Sequence, residues 1–241
     1  MCNLVIDEGN SSTKIGLYDG DTLITTERYQ TFGREEAAEI FSRYKVENTI
    51  LSSVVDSDEV LLLFLRKESR RFVLLDQDTP LPIENLYATP HTLGRDRLAV
   101  CVGANSLKPN SNLLVIDAGT AVTYDVVNSK NQYLGGNISP GLSMRAQALH
   151  ELTQKLPFVE VKEEVALFGT TTETALQSGI LKGLLYEIEG YVAEFSTAYP
   201  DLSVFLTGGS AFYFERKLKS TIFVDRNLLL IGLNRILSFR C

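Results

Sequence analysis

Leu4-Val5-Ile6-Asp7-Glu8-Gly9 and Leu114-Val115-Ile116-Asp117-Ala118-Gly119 are two versions of one phrase, and Thr13 returns as Thr123. Each match sits at the same offset of 110 residues (4 against 114, 13 against 123). Self-similarity at a fixed offset predicts two copies of one supersecondary unit. In each copy an unbroken apolar run reads as a buried strand that ends at Asp-x-Gly. A second strand follows, Lys14–Tyr18 in one copy and Val122–Val127 in the other, so each copy reads as a hairpin.

The turn chemistry suits polyphosphate. Glycine permits positive φ and, lacking Cβ, lets the backbone approach a ligand closely. Asn10, Ser11 and Ser12 in one copy, and Thr120 in the other, offer amide, hydroxyl and backbone donors. The aspartate supplies hard oxygen for a cation that neutralises phosphate. Two such turns facing each other across a cleft would clamp a nucleotide, with Thr207-Gly208-Gly209 as a third close-approach surface. One Asp-x-Gly alone would be an ordinary turn; two in register with a strand-Thr-Gly-Gly are not.

Outward from these turns the chain alternates. Glu35–Tyr44 and Glu59–Ser69 read as helices, and Thr49–Val54 and Phe72–Leu75 as strands. Pro80, Pro82 and Pro90 make residues 76–92 irregular. Arg97–Leu107 reads as a helix, and the polar stretch Lys108–Asn112 as a linker. Leu142, Leu149, Leu152 and Leu156 predict a helix that Pro157 ends. Leu176, Ile180, Leu184, Ile188 and Phe195 predict a longer one. Val204–Leu206 reads as a short buried strand and Asn227–Phe239 as a closing helix. Strand–helix alternation places the chain in the α/β class, as two domains, 1–110 and 111–241, the last helix packing back across the boundary.

Bulk properties narrow the function. Hydrophobic residues make up 44% and charged residues 22% of 241, ordinary globular usage. A net charge of -7 argues against a nucleic-acid partner, which requires concentrated Lys and Arg. Arg66, Lys67, Arg70 and Arg71 form the one dense basic cluster, with the spacing of a solvated helix face. Cys2, Cys101 and Cys241 have neither disulfide nor zinc spacing. His91 and His150 lack metal-ligand spacing. The N-terminal stretch reaches Asp7 without a signal-peptide apolar segment, and runs such as Leu61–Leu65 are too short to cross a bilayer. A cytoplasmic protein with no membrane partner is the expectation.

The paired turns resemble those of the actin, heat-shock-70 and sugar-kinase superfamily, which implies two ribonuclease-H-like (actin-like ATPase) domains with a nucleotide cleft between them. Within it the chain resembles type III pantothenate kinases along nearly its whole length. Asp7-Glu8-Gly9-Asn10-Ser11 matches the opening motif, with Ser11 where threonine is usual. Tyr87-Ala88-Thr89-Pro90 and Leu93-Gly94-Arg95-Asp96-Arg97 match the acceptor segments, Arg95 standing where a smaller residue is usual. Asp117 to Thr123 keeps the central motif, and Gly135-Gly136-Asn137-Ile138-Ser139-Pro140-Gly141 matches the following loop. Gly169 through Gly179, with Thr172 and Ala175, resembles a later segment.

The resemblance implies roles. Asp96 is the general base toward the substrate hydroxyl. Tyr87, Gly94, Arg95, Asp96, Arg97 and Thr172 bind pantothenate. Asp7, Glu8, Gly9, Asn10, Ser11, Ser12, Thr13, Lys14 and Thr120 bind ATP. Asp7 stands near the divalent cation (Mg2+) that accompanies ATP, and Asp117 binds a monovalent cation, K+ or NH4+. A homodimer is implied as well. Two other readings are a non-catalytic accessory relative and a kinase for another small metabolite. The first is disfavoured by the acids at Asp7, Asp96 and Asp117. A sugar kinase carrying structural zinc is disfavoured by the lack of clustered cysteines.

Overall fold

The computed structural model describes residues 2–9, 12–55 and 58–239. The chain divides into two compact units. The first comprises Met1–Pro109, Asn131–Tyr133 and Asn227–Cys241; the second comprises Asn110–Lys130 and Leu134–Arg226.

In the first unit β1 (Cys2–Glu8), β2 (Thr13–Asp19) and β3 (Thr22–Tyr29) form an antiparallel meander. Helix α1 (Arg34–Arg43) leads to β4 (Val46–Ser53), and α2 (Glu59–Glu68) leads to β5 (Arg71–Leu74). Both strands join parallel, giving the order β3-β2-β1-β4-β5. Leu4, Val5 and Ile6 are all fully buried, so the uninterrupted apolar run reflects a sheet covered on both faces. One face carries α1 and α2, whose Ala37, Ile40, Leu61 and Leu65 cluster with Leu4, Ile6, Ile15 and Leu17. The other carries α6 (Leu228–Ser238), which packs on β1, β4 and β2 and crosses α3 (Arg95–Leu107).

That crossing is close because of two glycines. A Cβ on Gly232 would stand 1.8 Å from the Ala99 carbonyl oxygen, and one on Gly103 2.2 Å from that of Leu228. Arg97 through Asn105 are all buried, so α3 has no wet face. Asn234 on α6 accepts from Asn3 at 2.9 Å and donates to the Gly20 carbonyl at 2.9 Å, fixing its rotation against the β2–β3 turn. Strand β6 (Glu84–Asn85) pairs with Gln132 and Tyr133, the start of β9 (Gln132–Pro140).

The second unit repeats the plan. Strands β7 (Leu113–Ala118) and β8 (Ala121–Val127) form an antiparallel hairpin, and β9 lies beside β8. Strands β10 (Ser203–Thr207) and β11 (Ile222–Val224) join parallel beyond β7. The order β9-β8-β7-β10-β11 matches β3-β2-β1-β4-β5 strand for strand. The repeated phrase therefore marks a repeated topology. Helices α4 (Leu142–Glu151) and α5 (Thr172–Ala198) pack through Leu142, Ala146, Ile180, Leu184 and Ile188 onto Leu114, Ile116, Val122 and Tyr124.

The structure adds one strand and departs from the expectation at two places. Strand β3 follows the Asp19-Gly20-Asp21 hairpin signal; Gly20 takes φ 58° and exposure alternates residue by residue along the strand. The segment Gly135–Pro140 is strand rather than loop. Helix α4 stops at Glu151, short of Pro157. There Thr153 donates its hydroxyl to the Leu149 carbonyl (2.7 Å) and the His150 ring bonds the Leu156 carbonyl (2.8 Å). Those side chains take over the turn from the backbone ladder, leaving Leu152 exposed.

Candidate active site

In the first unit, Asp7 stands where β1 ends, opposite Lys14 on β2 and Ser52 on β4. The hairpin closes with Gly9 N–H donating to the Ser12 carbonyl at 3.1 Å. Ser12 Oγ accepts from Arg28 at 3.4 Å, and Lys14 Nζ donates to Asn227 Oδ1 at 2.9 Å, at the start of α6. Thr13 is buried opposite Glu8. Asn10 and Ser11 lie outside the described residues, as does Cys241.

Asp96 reaches this neighbourhood from another element. Gly94 caps α3, so Asp96 sits in its first turn, where exposed N–H groups favour a carboxylate. Its Oδ1 accepts from the Arg97 N–H at 2.9 Å. A Cβ at position 94 would come within 2.5 Å of that oxygen, so glycine leaves room for the acid. Burial, and then the Asp96 charge, push Asp7 up to about 6 against the opposing pull of Lys14 and Arg28. Asp7 and Asp96 thus share one electrostatic environment, with two cationic side chains beside them.

Around them Arg97 is buried, and Arg95 turns to the Gln77 side chain, with burial pulling its guanidinium below the ordinary arginine range. Gln77 in turn donates to the His91 carbonyl at 3.2 Å. Arg95 therefore ties the irregular 76–79 turn to the start of α3. Tyr87 is half-buried, its ring 6.1 Å from that of Tyr133.

In the second unit Asp117 ends β7, opposite Thr123 on β8 and Thr207 on β10. Gly208 follows with φ 96°, and a Cβ there would lie 2.4 Å from Asp117 Oδ1 and 2.5 Å from the Ala118 carbonyl carbon. Only glycine satisfies both the backbone and the space. Gly119 N–H donates to the Ala121 carbonyl at 3.0 Å. Gly141 N–H donates to the Thr120 carbonyl at 3.0 Å, and a Cβ on Gly141 would stand 2.3 Å from the Gly119 carbonyl oxygen. The Asp117–Thr120 turn is thus held between two glycine contacts, with Thr120 exposed.

Thr172 lies elsewhere in this unit, in the first turn of α5. It forms part of the wall of a cavity of about 640 Å³ with Pro140, Arg145, Leu149, Leu156 and Leu176. Thr171 caps the helix, accepting from the Thr174 N–H at 3.2 Å.

Sequence reasoning overlooked a polar cluster behind the Asp117 turn. Arg145 donates to the Pro140 carbonyl (2.7 Å) and to Ser139 Oγ (3.0 Å) and pairs with Glu187, while Tyr124 donates to Glu187 at 2.8 Å. Its partners lie far apart in the chain, and no local pattern announces them.

Among the described residues no group of three or more His, Cys, Asp or Glu side chains is disposed to hold a metal ion. A cation here would rest on single carboxylates completed by phosphate oxygens, the usual arrangement for a nucleotide-borne divalent ion. Asp7, raised by burial and then by the Asp96 charge, fits that need, since a cation would relieve the repulsion.

A family model described as type III pantothenate kinase matches residues 3–194. The type III pantothenate kinase of Phocaeicola vulgatus is 46% identical over 237 residues, covering 98% of each chain. That of Porphyromonas gingivalis strain W83 is 38% identical over 240 residues, again covering 98% of each. Among solved structures, a Baf family protein from Campylobacter jejuni superposes with TM-score 0.61 at 21% identity, covering 97% of this chain and 96% of its own. The ROK hexokinase of Thermus thermophilus gives 0.54 at 16%, covering 98% of each. These distant likenesses establish the fold, two α/β units of the actin-like ATPase kind.

Proposed function

This chain belongs to the type III pantothenate kinase family, and we infer that it transfers the γ-phosphate of ATP to the primary hydroxyl of pantothenate, giving 4′-phosphopantothenate, the first step towards coenzyme A. The observation that carries this reading is the end-to-end correspondence, 46% identity over 98% of both chains.

Phosphoryl transfer needs little covalent help from protein; positioning and charge neutralisation dominate. Asp96 orients the attacking hydroxyl and accepts its proton. Its place in the first turn of α3, with room left by Gly94, supports that role. Arg97 and the backbone at Gly94 and Arg95 hold the pantothenate, with Tyr87 and Thr172 as further contacts. The side chain of Arg95 anchors the 76–79 turn through Gln77. The hairpin from Asp7 to Lys14, together with Thr120, holds ATP. Lys14 is steadied by Asn227 for that purpose.

Asp7 is the residue for the divalent cation that accompanies ATP, which when bound supplies positive charge against the phosphates. Asp117, given room by the absence of a Cβ at Gly208, holds the monovalent cation, K+ or NH4+. The enzyme works in the cytoplasm as a homodimer. Large exposed apolar side chains are concentrated between Ile138 and Phe168, among them Leu152 and Phe158, as expected of a surface that a second copy covers. Among the described residues no helix is long and apolar enough to cross a membrane.

The deciding experiment follows ATP-dependent phosphorylation of pantothenate with and without K+. Turnover that requires a divalent cation and is stimulated by K+ is expected. Inertness toward pantothenate, with phosphorylation of a hexose instead, would overturn the assignment.

A further inference from the structure

Arg145 projects from α4 toward the end of β9, and its bonds run to three places. Nε donates to the Pro140 carbonyl at 2.7 Å, Nη2 donates to Ser139 Oγ at 3.0 Å, and the same nitrogen pairs with the Glu187 carboxylate. Glu187, on α5, also accepts from Tyr124 at 2.8 Å, and Tyr124 is fully buried on β8, opposite Ile116. The cluster therefore joins β8, β9, α4 and α5. Burial works against the Glu187 carboxylate, yet hydrogen bonds from Arg145, Ser139 and Tyr124 outweigh it and hold its carboxyl below the usual range. It stays ionised at neutral pH and keeps its grip on Arg145.

What the cluster holds is the turn at Pro140-Gly141. Gly141 N–H donates to the Thr120 carbonyl, and its Cα presses so closely on the Gly119 and Thr120 carbonyls that a Cβ would stand 2.3 and 2.4 Å from them. A shift of Pro140 is thus transmitted to the Gly119–Thr120 backbone. We propose that Arg145, clamped by Glu187, is a positioning residue for phosphoryl transfer, fixing the Asp117–Thr120 turn through the Ser139–Gly141 segment. The proposal rests on the reading of that turn as the one that meets ATP and the monovalent cation.

Arg145 also borders the cavity that includes Thr172, so a direct grip on a substrate anion is the alternative. Its charge is already matched by Glu187, and Nε and Nη2 are already donating, which suits a clamp better than an anion receptor.

The test compares Arg145→Met, Arg145→Lys, Glu187→Gln and the Met/Gln double variant with the wild-type full chain. In steady-state kinetics Arg145→Met is expected to lower kcat about 10²-fold, the scale of a small misplacement remote from the chemistry. KM for pantothenate should stay within about threefold, because no substrate contact is lost. Arg145→Lys should recover part of kcat. The double variant should be no worse than Arg145→Met, because the two residues act as one unit. In hydrogen exchange the Gly119 and Gly141 amides should open about tenfold faster in Arg145→Met. If Arg145→Met does not fold, Arg145→Lys and Glu187→Gln carry the same exchange comparison.

Unchanged exchange at both amides overturns the proposal. So does a variant whose loss lies wholly in KM for pantothenate. A wild-type chain inert toward pantothenate counts against the kinase reading alone, since the exchange measurement still decides the clamp.

Discussion

Single side chains here are governed by their nearest charges and by missing Cβ atoms. Asp7 is raised to about 6, above its ordinary 3.8, by burial and by Asp96. A carboxyl raised on folding binds its proton more tightly in the native state, so its contribution to stability is full below about pH 4 and is lost as pH rises through about 6. In protein free of metal and nucleotide, Asp7→Asn should remove that loss. The variant's Tm, relative to wild type, should therefore climb between pH 4 and pH 7; a parallel pair of curves would refute it. At Asp96, replacement by Asn should cut kcat by about 10²- to 10⁴-fold, the range for loss of general-base assistance. KM for ATP should change little, and near-wild-type turnover would remove the base assignment. Gly208→Ala must accept φ 96° and a contact 2.4 Å from Asp117 Oδ1, so chemical denaturation should show a loss of about 2–4 kcal/mol. The motifs made these aspartates and glycines legible. The partners Asn227, Gln77, Arg145 and Glu187 were not, because each lies on an element distant in sequence.

Elements explain how the aspartates are held in place. Helix α3, which carries Asp96 in its first turn, lies against α6 backbone to backbone at Gly103 and Gly232. Gly232→Ala sets a methyl group 1.8 Å from the Ala99 carbonyl oxygen and must force the helices apart. Urea unfolding should register a loss of about 3 kcal/mol, and kcat of the folded fraction should fall with it, since α3 carries Asp96. A variant as stable as wild type would contradict the close crossing. The sequence exposed the apolar stripe of α5 readily, because helical period is a local signal. It hid the edge strand β3 and the end of α4. Edge strands bury few side chains, and a helix can stop where Thr153 and His150 bond its own carbonyls.

At the scale of the molecule two units share one strand order, and the residues proposed for the reaction fall in both. Asp7, Tyr87 and Asp96 belong to the first, and Asp117, Thr120 and Thr172 to the second. The exposed apolar side chains of the second unit lead to a further expectation, that light scattering finds twice the 26.8 kDa chain mass. Leu152→Glu, at a residue 84% exposed in the single chain, should shift the protein toward monomer without unfolding it. A wild-type monomer would rule out the dimer. The amino-acid order alone determined the duplication, the α/β class, the family and the turns at Asp7, Asp96 and Asp117, because strand runs, Asp-x-Gly turns and helical stripes are written in neighbouring residues. It took the folded arrangement to reveal that Asp7 feels Asp96, that Gly208 makes way for Asp117, and that Arg145 joins Pro140 to Glu187. Electrostatic shifts, steric limits and clamps depend on distances through space, which the chain sets only once it has folded.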